Sequence, residues 1–241
     1  MQKRSSERGS SRWKAAGLSV LFVAGSLAAK LVPWWGLASV GETPRWIVAG
    51  TLALAAVVGL TVLFVRRLPG YPQPTLALLP RGTRRGLGLA AGGLAAGAAL
   101  FGVVFGVVVA TGGIQVQWIG SGAPRLVATM ATVFVATVLN AAWEELTFRG
   151  WPFSACVKAF GAHRVSVGLG AAFGLCHRLN PLWTPAAIVS TAIAGLLICY
   201  TMLACRDILA PVGLHVGWNF CQSMLTSRRF WTCPFCRIDV R

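Results

Sequence analysis

A chain of 241 residues that is 56% hydrophobic and 12% charged, with a mean hydropathy of +0.68, lies outside the range of soluble globular domains and reads as an integral membrane protein. Its formal net charge of +16 raises nucleic acid as a partner, but the basic residues punctuate apolar runs instead of lining one amphipathic face. They are topology signals with some attraction to anionic membrane lipids, and nucleic acid is not expected.

Residues 1–14 form a basic, cytoplasmic N-terminus with Lys3, Arg4, Arg8, Arg12 and Lys14. No small-residue cleavage site follows Lys30, so the first span, Ala15 to Trp35, is expected to be retained. Lys30 interrupts it and is expected to snorkel toward the far interface beside Trp34 and Trp35. The second span, Trp46 to Val65, is uncharged and ends at Arg66 and Arg67. A polar loop over 66–85, with Pro69, Pro72, Pro74, Pro80, Arg81, Arg84 and Arg85, is placed on the cytoplasmic side by its charge. The third span, about Gly88 to Ala110, completes an N-terminal membrane region over 15–110. A Gly-rich outer loop follows around Gly112, Gly113, Gly120 and Gly122. Gly93 and Gly97, like Gly102 and Gly106, are four apart, which suits close helix packing in a bilayer.

The fourth span starts near Leu126 and carries Glu144 and Glu145, two of only six acidic residues. A charged side chain at the bilayer centre costs about 2.5–3.5 kcal/mol on insertion scales, which marks the pair as the centre of a polar site. Arg149, Lys158 and Arg164 mark the cytoplasmic end of a hairpin to the fifth span, Val165 to about Asn180. The sixth covers Leu182 to Cys205, and the seventh about Ile208 to Thr226. Residues 227–241 are a basic tail. Its Cys233-x-x-Cys236 lacks the second ligand pair of a structural zinc site. The other five cysteines lie in or beside apolar segments and read as small hydrophobes. The fold class expected is all-α, a polytopic transmembrane bundle of seven or eight membrane helices with no internal repeat and no soluble domain, located in the cell membrane.

Two of the three histidines, His177 and His215, lie inside apolar segments, and Asn219 follows one turn after His215. If the chain turns at Gly161, Glu145 and His177 are each 16 residues from the turn. Both arms then climb roughly 24 Å at about 1.5 Å per residue, which sets the acids and the imidazole at similar depth. Pro152 is expected to kink the first arm. In a dry cavity a glutamate is a usable general base for water, and a histidine positions that water or shuttles its proton. A second histidine with an asparagine donates to a developing oxyanion. Glu144, His177 and His215 can equally hold a divalent metal such as zinc. Either arrangement hydrolyses an acyl bond, most naturally a peptide.

The segments E-E-L-T-F-R (Glu144 to Arg149), F-G-L-C-H (Phe173 to His177) and H-V-G-W-N (His215 to Asn219) resemble the EExxxR, FxxxH and HxxxN motifs of the CPBP family of intramembrane proteases. That family includes the CAAX prenyl endopeptidases and the bacterial Abi and bacteriocin-immunity proteins. The resemblance covers a core over 126–226. It implies that Glu144 activates water with His177 while His215 and Asn219 stabilise the oxyanion. Glu145 and Arg149 are implied to form a buried ion pair, and Phe173 to shape the cavity, although by physics alone either acid can be the base. The substrate implied is a membrane-associated peptide or protein. The mechanism implied is either metal-dependent or a metal-free glutamate mechanism. Family members commonly continue after HxxxN with a further apolar segment, where this chain has its basic tail. Two other readings stand beside the protease: an inactive family member acting as membrane scaffold or immunity factor, and a proton-coupled transporter with Glu and His as relay groups.

Overall fold

The computed structural model describes residues 2–37, 39, 41–68, 83–118, 123–179, 183–226 and 236–240. Most of the expected cytoplasmic loop, Gly120 and Gly122 of the outer loop, and the tail before Cys236 lie outside those residues.

Helices occupy all seven expected positions, with one short helix added. They are α1 (Gln2–Gly36), α2 (Glu42–Arg67), α3 (Thr83–Ala110), α4 (Ala123–Arg149), α5 (Trp151–Phe160), α6 (Ala162–Cys176), α7 (Pro185–Cys205) and α8 (Leu209–Thr226). Five segments are long and apolar enough to cross a membrane: those of α1, α2, α3 and α7, and the continuous run through α4 and α5. Large apolar side chains stand exposed along these helices, among them Leu52, Leu87, Val103, Val107, Val189 and Ile193. Water would oppose that surface, whereas hydrocarbon solvates it.

The helix break between α4 and α5 is at Gly150, where a Cβ would overlap the Leu146 carbonyl. Pro152 therefore sits in the first turn of α5, where its missing N–H is not needed. Gly161, with φ of 87°, ends α5 and begins α6, so the expected hairpin turn is a left-handed position that glycine adopts without strain. Helix α4 is central and packs on α1, α2, α5 and α8. A core of Phe22, Val57, Trp143, Leu146, Trp151 and Phe153 fills the space beside it. The Phe22, Phe64 and Trp151 rings interlock with centroids 4.9–6.1 Å apart.

The closest helix pair is α3 with α8. A Cβ at Gly93 or Gly97 would overlap the Ala210 or Leu214 carbonyl, and one at Gly213 or Gly217 would overlap the Ala90 or Leu94 carbonyl. Two small-xxx-small pairs thus lock into each other within one chain. Gly102 and Gly106 lie round the helix from that face and have no neighbour within 4 Å, so only the first of the two expected glycine pairs serves packing here. The order of these contacts makes α3 and α8 parallel, so the chain leaves both at the same end.

There the all-α expectation needs an addition, a two-stranded antiparallel ribbon. Strand β1 (Ile114–Trp118), from the outer loop, pairs with β2 (Cys236–Val240), from the tail, with Ile114 opposite Val240 and Trp118 opposite Cys236. I-Q-V-Q-W alternates apolar and polar, the period of a strand.

Gly97→Leu is expected to drive α8 from α3, lowering stability by the roughly 1–3 kcal/mol typical of overpacking. Gly102→Leu, into open space, is expected to leave the thermal unfolding temperature in detergent unchanged.

Candidate active site

The site forms where the last turns of α4 meet the C-terminal end of α6 and the second turn of α8. Local structure sets each contribution. Arg206, in a left-handed conformation, closes α7, and the Asp207 carboxylate accepts from the Leu209 N–H at 2.9 Å to start α8. His215 is therefore carried less than two turns into a helix with a fixed origin. His177 stands at the C-cap of α6, and its Nδ1–H donates to the Phe173 carbonyl at 2.8 Å. That carbonyl is one of the four that a helix end leaves without an intrahelical donor. The bond leaves Nε2 of His177 free to accept.

The two acids have different surroundings. Glu145 is fully buried: its Oε1 accepts from Nδ1–H of His215 at 2.7 Å, and its Oε2 is 3.4 Å from Nη1 of Arg149. Arg149, also fully buried, donates from Nη2 to the Gly195 carbonyl at 2.7 Å. Its guanidinium carbon lies 4.5 Å from the centroid of Phe173. A Cβ at Gly195 would come within 3.1 Å of that Nη2, so the absent side chain is what lets the guanidinium reach α7.

Glu144 is held on one side only. Its Oε1 accepts from Asn140 Nδ2 at 2.6 Å and lies 3.9 Å from Nζ of Lys30. Its Oε2 is buried, has no hydrogen-bond partner among the described residues, and lies 3.8 Å from Nε2 of His215. His177 is close enough to interact electrostatically with Glu144. Phe173 is the apolar hub, with its ring centroid 4.7 Å from that of His177, 6.0 Å from that of His215 and 5.3 Å from that of Phe148. Asn219 is half-buried one turn beyond His215 on α8.

The structure thus brings together Glu144, Glu145, Arg149, Phe173, His177 and His215. Three features were not anticipated. Glu145 serves His215 as well as Arg149. Asn140 stands one helical turn before Glu144, a spacing legible in sequence. Lys30, expected to snorkel outward, instead turns into the bundle, donating to Asn140 Oδ1 and lying 3.9 Å from the centroid of the Trp143 ring. Its outward course would have left two carboxylates facing only one cation. Nothing local to residue 30 signals this contact. Among the described residues no three His, Cys, Asp or Glu side chains are grouped to hold a metal ion. Glu144, His177 and His215 as placed do not fit a three-ligand set.

Residues 126–221 match the family model described as type II CAAX prenyl endopeptidase Rce1-like. Over those residues, about two fifths of its length, the chain is similar to the CPBP/CAAX protease family. Searches of curated proteins and of solved structures found no significant match. The match to the CPBP/CAAX model begins within α4 and ends within α8, so it contains every acid and histidine of the site and excludes α1 and Lys30. The CPBP/CAAX family is one of intramembrane endopeptidases, in keeping with the exposed apolar belt of these helices.

Proposed function

We propose that the protein is an endopeptidase of the cell membrane, crossing it several times and hydrolysing peptide bonds of membrane-associated peptides or proteins. The observation that carries this reading is the unequal treatment of the two buried acids. Neither Oε2 has a hydrogen-bond partner among the described residues, but that of Glu145 is ion-paired with Arg149 at 3.4 Å, whereas that of Glu144 faces only Nε2 of His215, at 3.8 Å.

In this reading the carboxylate oxygen that no guanidinium neutralises is the general base. Glu144 Oε2 takes a proton from a water molecule positioned by Nε2 of His177, and the hydroxide attacks the peptide carbonyl. The oxyanion accepts from Nε2–H of His215 in its doubly protonated, imidazolium form, whose Nδ1–H is held by Glu145, and from the carboxamide of Asn219. Collapse breaks the C–N bond, and the proton on Glu144 passes to the departing amine, leaving a carboxylic acid and an amine. No step uses a covalent acyl intermediate.

Comparison of peptide termini in membranes that contain the wild type or Glu144→Ala at matched levels tests the reading. New termini are expected with the wild type alone. Identical termini in both would overturn it.

A further inference from the structure

Among the described residues, Lys30 is the one charged side chain that reaches Glu144 from outside those matched by the family model. Its depth is set by α1 as a whole. Ser26, one turn earlier, forms a 2.6 Å hydrogen bond with Thr147, and Ser19 Oγ lies 3.3 Å from Sγ of Cys156. These contacts hold α1 in register along α4 and α5. The Lys30 side chain is 18% accessible, and its Nζ lies 3.9 Å from the Trp143 ring centroid and 5.8 Å from that of Trp46. This is a built position, with a cation–π wall on one side and two polar partners on the other.

Those partners have an enforced polarity. An ammonium group can only donate, so the Asn140 atom facing Lys30 is the oxygen, and the amide NH₂ is directed at Glu144. Turning the amide over would set N–H against ammonium and carbonyl oxygen against carboxylate. Lys30 therefore decides which way Asn140 points, and Asn140 decides which oxygen of Glu144 is occupied. The oxygen left over is Oε2, which faces His215.

We propose that Lys30 is a positioning residue for hydrolysis, acting through Asn140 to hold Glu144 by Oε1 and present Oε2 as the base. This rests on the reading of Glu144 as the base. It adds that the family-matched core is catalytically incomplete without the first helix.

The test uses purified full-length protein and an internally quenched peptide spanning a bond identified from the wild-type-only termini. Lys30→Met and Asn140→Leu are each expected to lower kcat by up to about 10²-fold, the cost of a slightly misplaced catalytic group, with KM little changed. Lys30→Arg, which keeps a donating cation, is expected to recover most of the loss. Because Lys30 acts through Asn140, the double variant is expected to be no slower than the slower single variant. Wild-type kcat in Lys30→Met, losses that multiply in the double variant, or a change confined to KM would overturn the inference. If Lys30→Met does not accumulate, Asn140→Leu decides: wild-type kcat there overturns it equally. Identical termini from wild type and Glu144→Ala sink the hydrolytic reading and this inference together, whereas wild-type-only termini with unimpaired Lys30 variants sink this inference alone.

Discussion

Glu144→Gln is expected to lower kcat/KM by about 10²–10⁴-fold, the usual contribution of a general base, while the variant still folds. Glutamine keeps the shape of the side chain and an oxygen to accept from Asn140 Nδ2, but its second group is an amide that cannot take a proton from water. Glu145 is not expected to substitute for it, because it is ion-paired with Arg149 and its Oε1 holds Nδ1 of His215. The check is a progress curve on a quenched peptide together with thermal unfolding in detergent. Hydrolysis surviving in a folded Glu144→Gln protein would remove Glu144 from the mechanism.

Arg149→Met is expected to have the largest effect on stability. Removing one partner of a buried ion pair typically costs about 3–5 kcal/mol, because the remaining charge is left uncompensated. Here Glu145 would be stranded with no accessible surface, and the Gly195 carbonyl would lose its donor. The prediction has a second half that separates stability from activity. Adding Glu145→Leu removes the stranded charge and is expected to raise the thermal unfolding temperature above that of Arg149→Met alone. The double variant is expected to stay inactive, since Nδ1 of His215 then has no carboxylate to orient it. A double variant that unfolds no later than the single one would show that the pair is not the source of the loss.

Features that depend on spacing along one helix, or on distance from one turn, were legible in the sequence. Phe148 and Phe173 touch across the Gly161 hairpin much as equal climbs from that glycine require, and Glu145 meets Arg149 one turn later. The i, i+4 step from Asn140 to Glu144 is readable on the same grounds, though only the structure draws notice to it. Contacts between helices distant in sequence were not legible, because an apolar run has much the same period on every face. Gly93 and Gly97 suggested close packing, but nothing in sequence identified Gly213 and Gly217 as their partners. Lys30 obeyed a local rule for lysines near interfaces until the site offered it a carboxylate and an aromatic face. Strand β1 is five residues in a glycine-rich connection, too short for its alternation to stand out, and its partner comes from the far end of the chain.

The polar contacts of the site also impose a schedule. Lys30 bonds to a residue 110 positions later, and Glu145 to one 70 positions later still. A ribosome delivers α1 first and α8 last, so the acids enter the membrane well before the histidine that faces them. Until α8 arrives the nascent chain carries a half-built centre, with Glu145 lacking the histidine that faces it. On the proposed function, competence to hydrolyse is thereby postponed until the chain has been synthesised at least as far as His215.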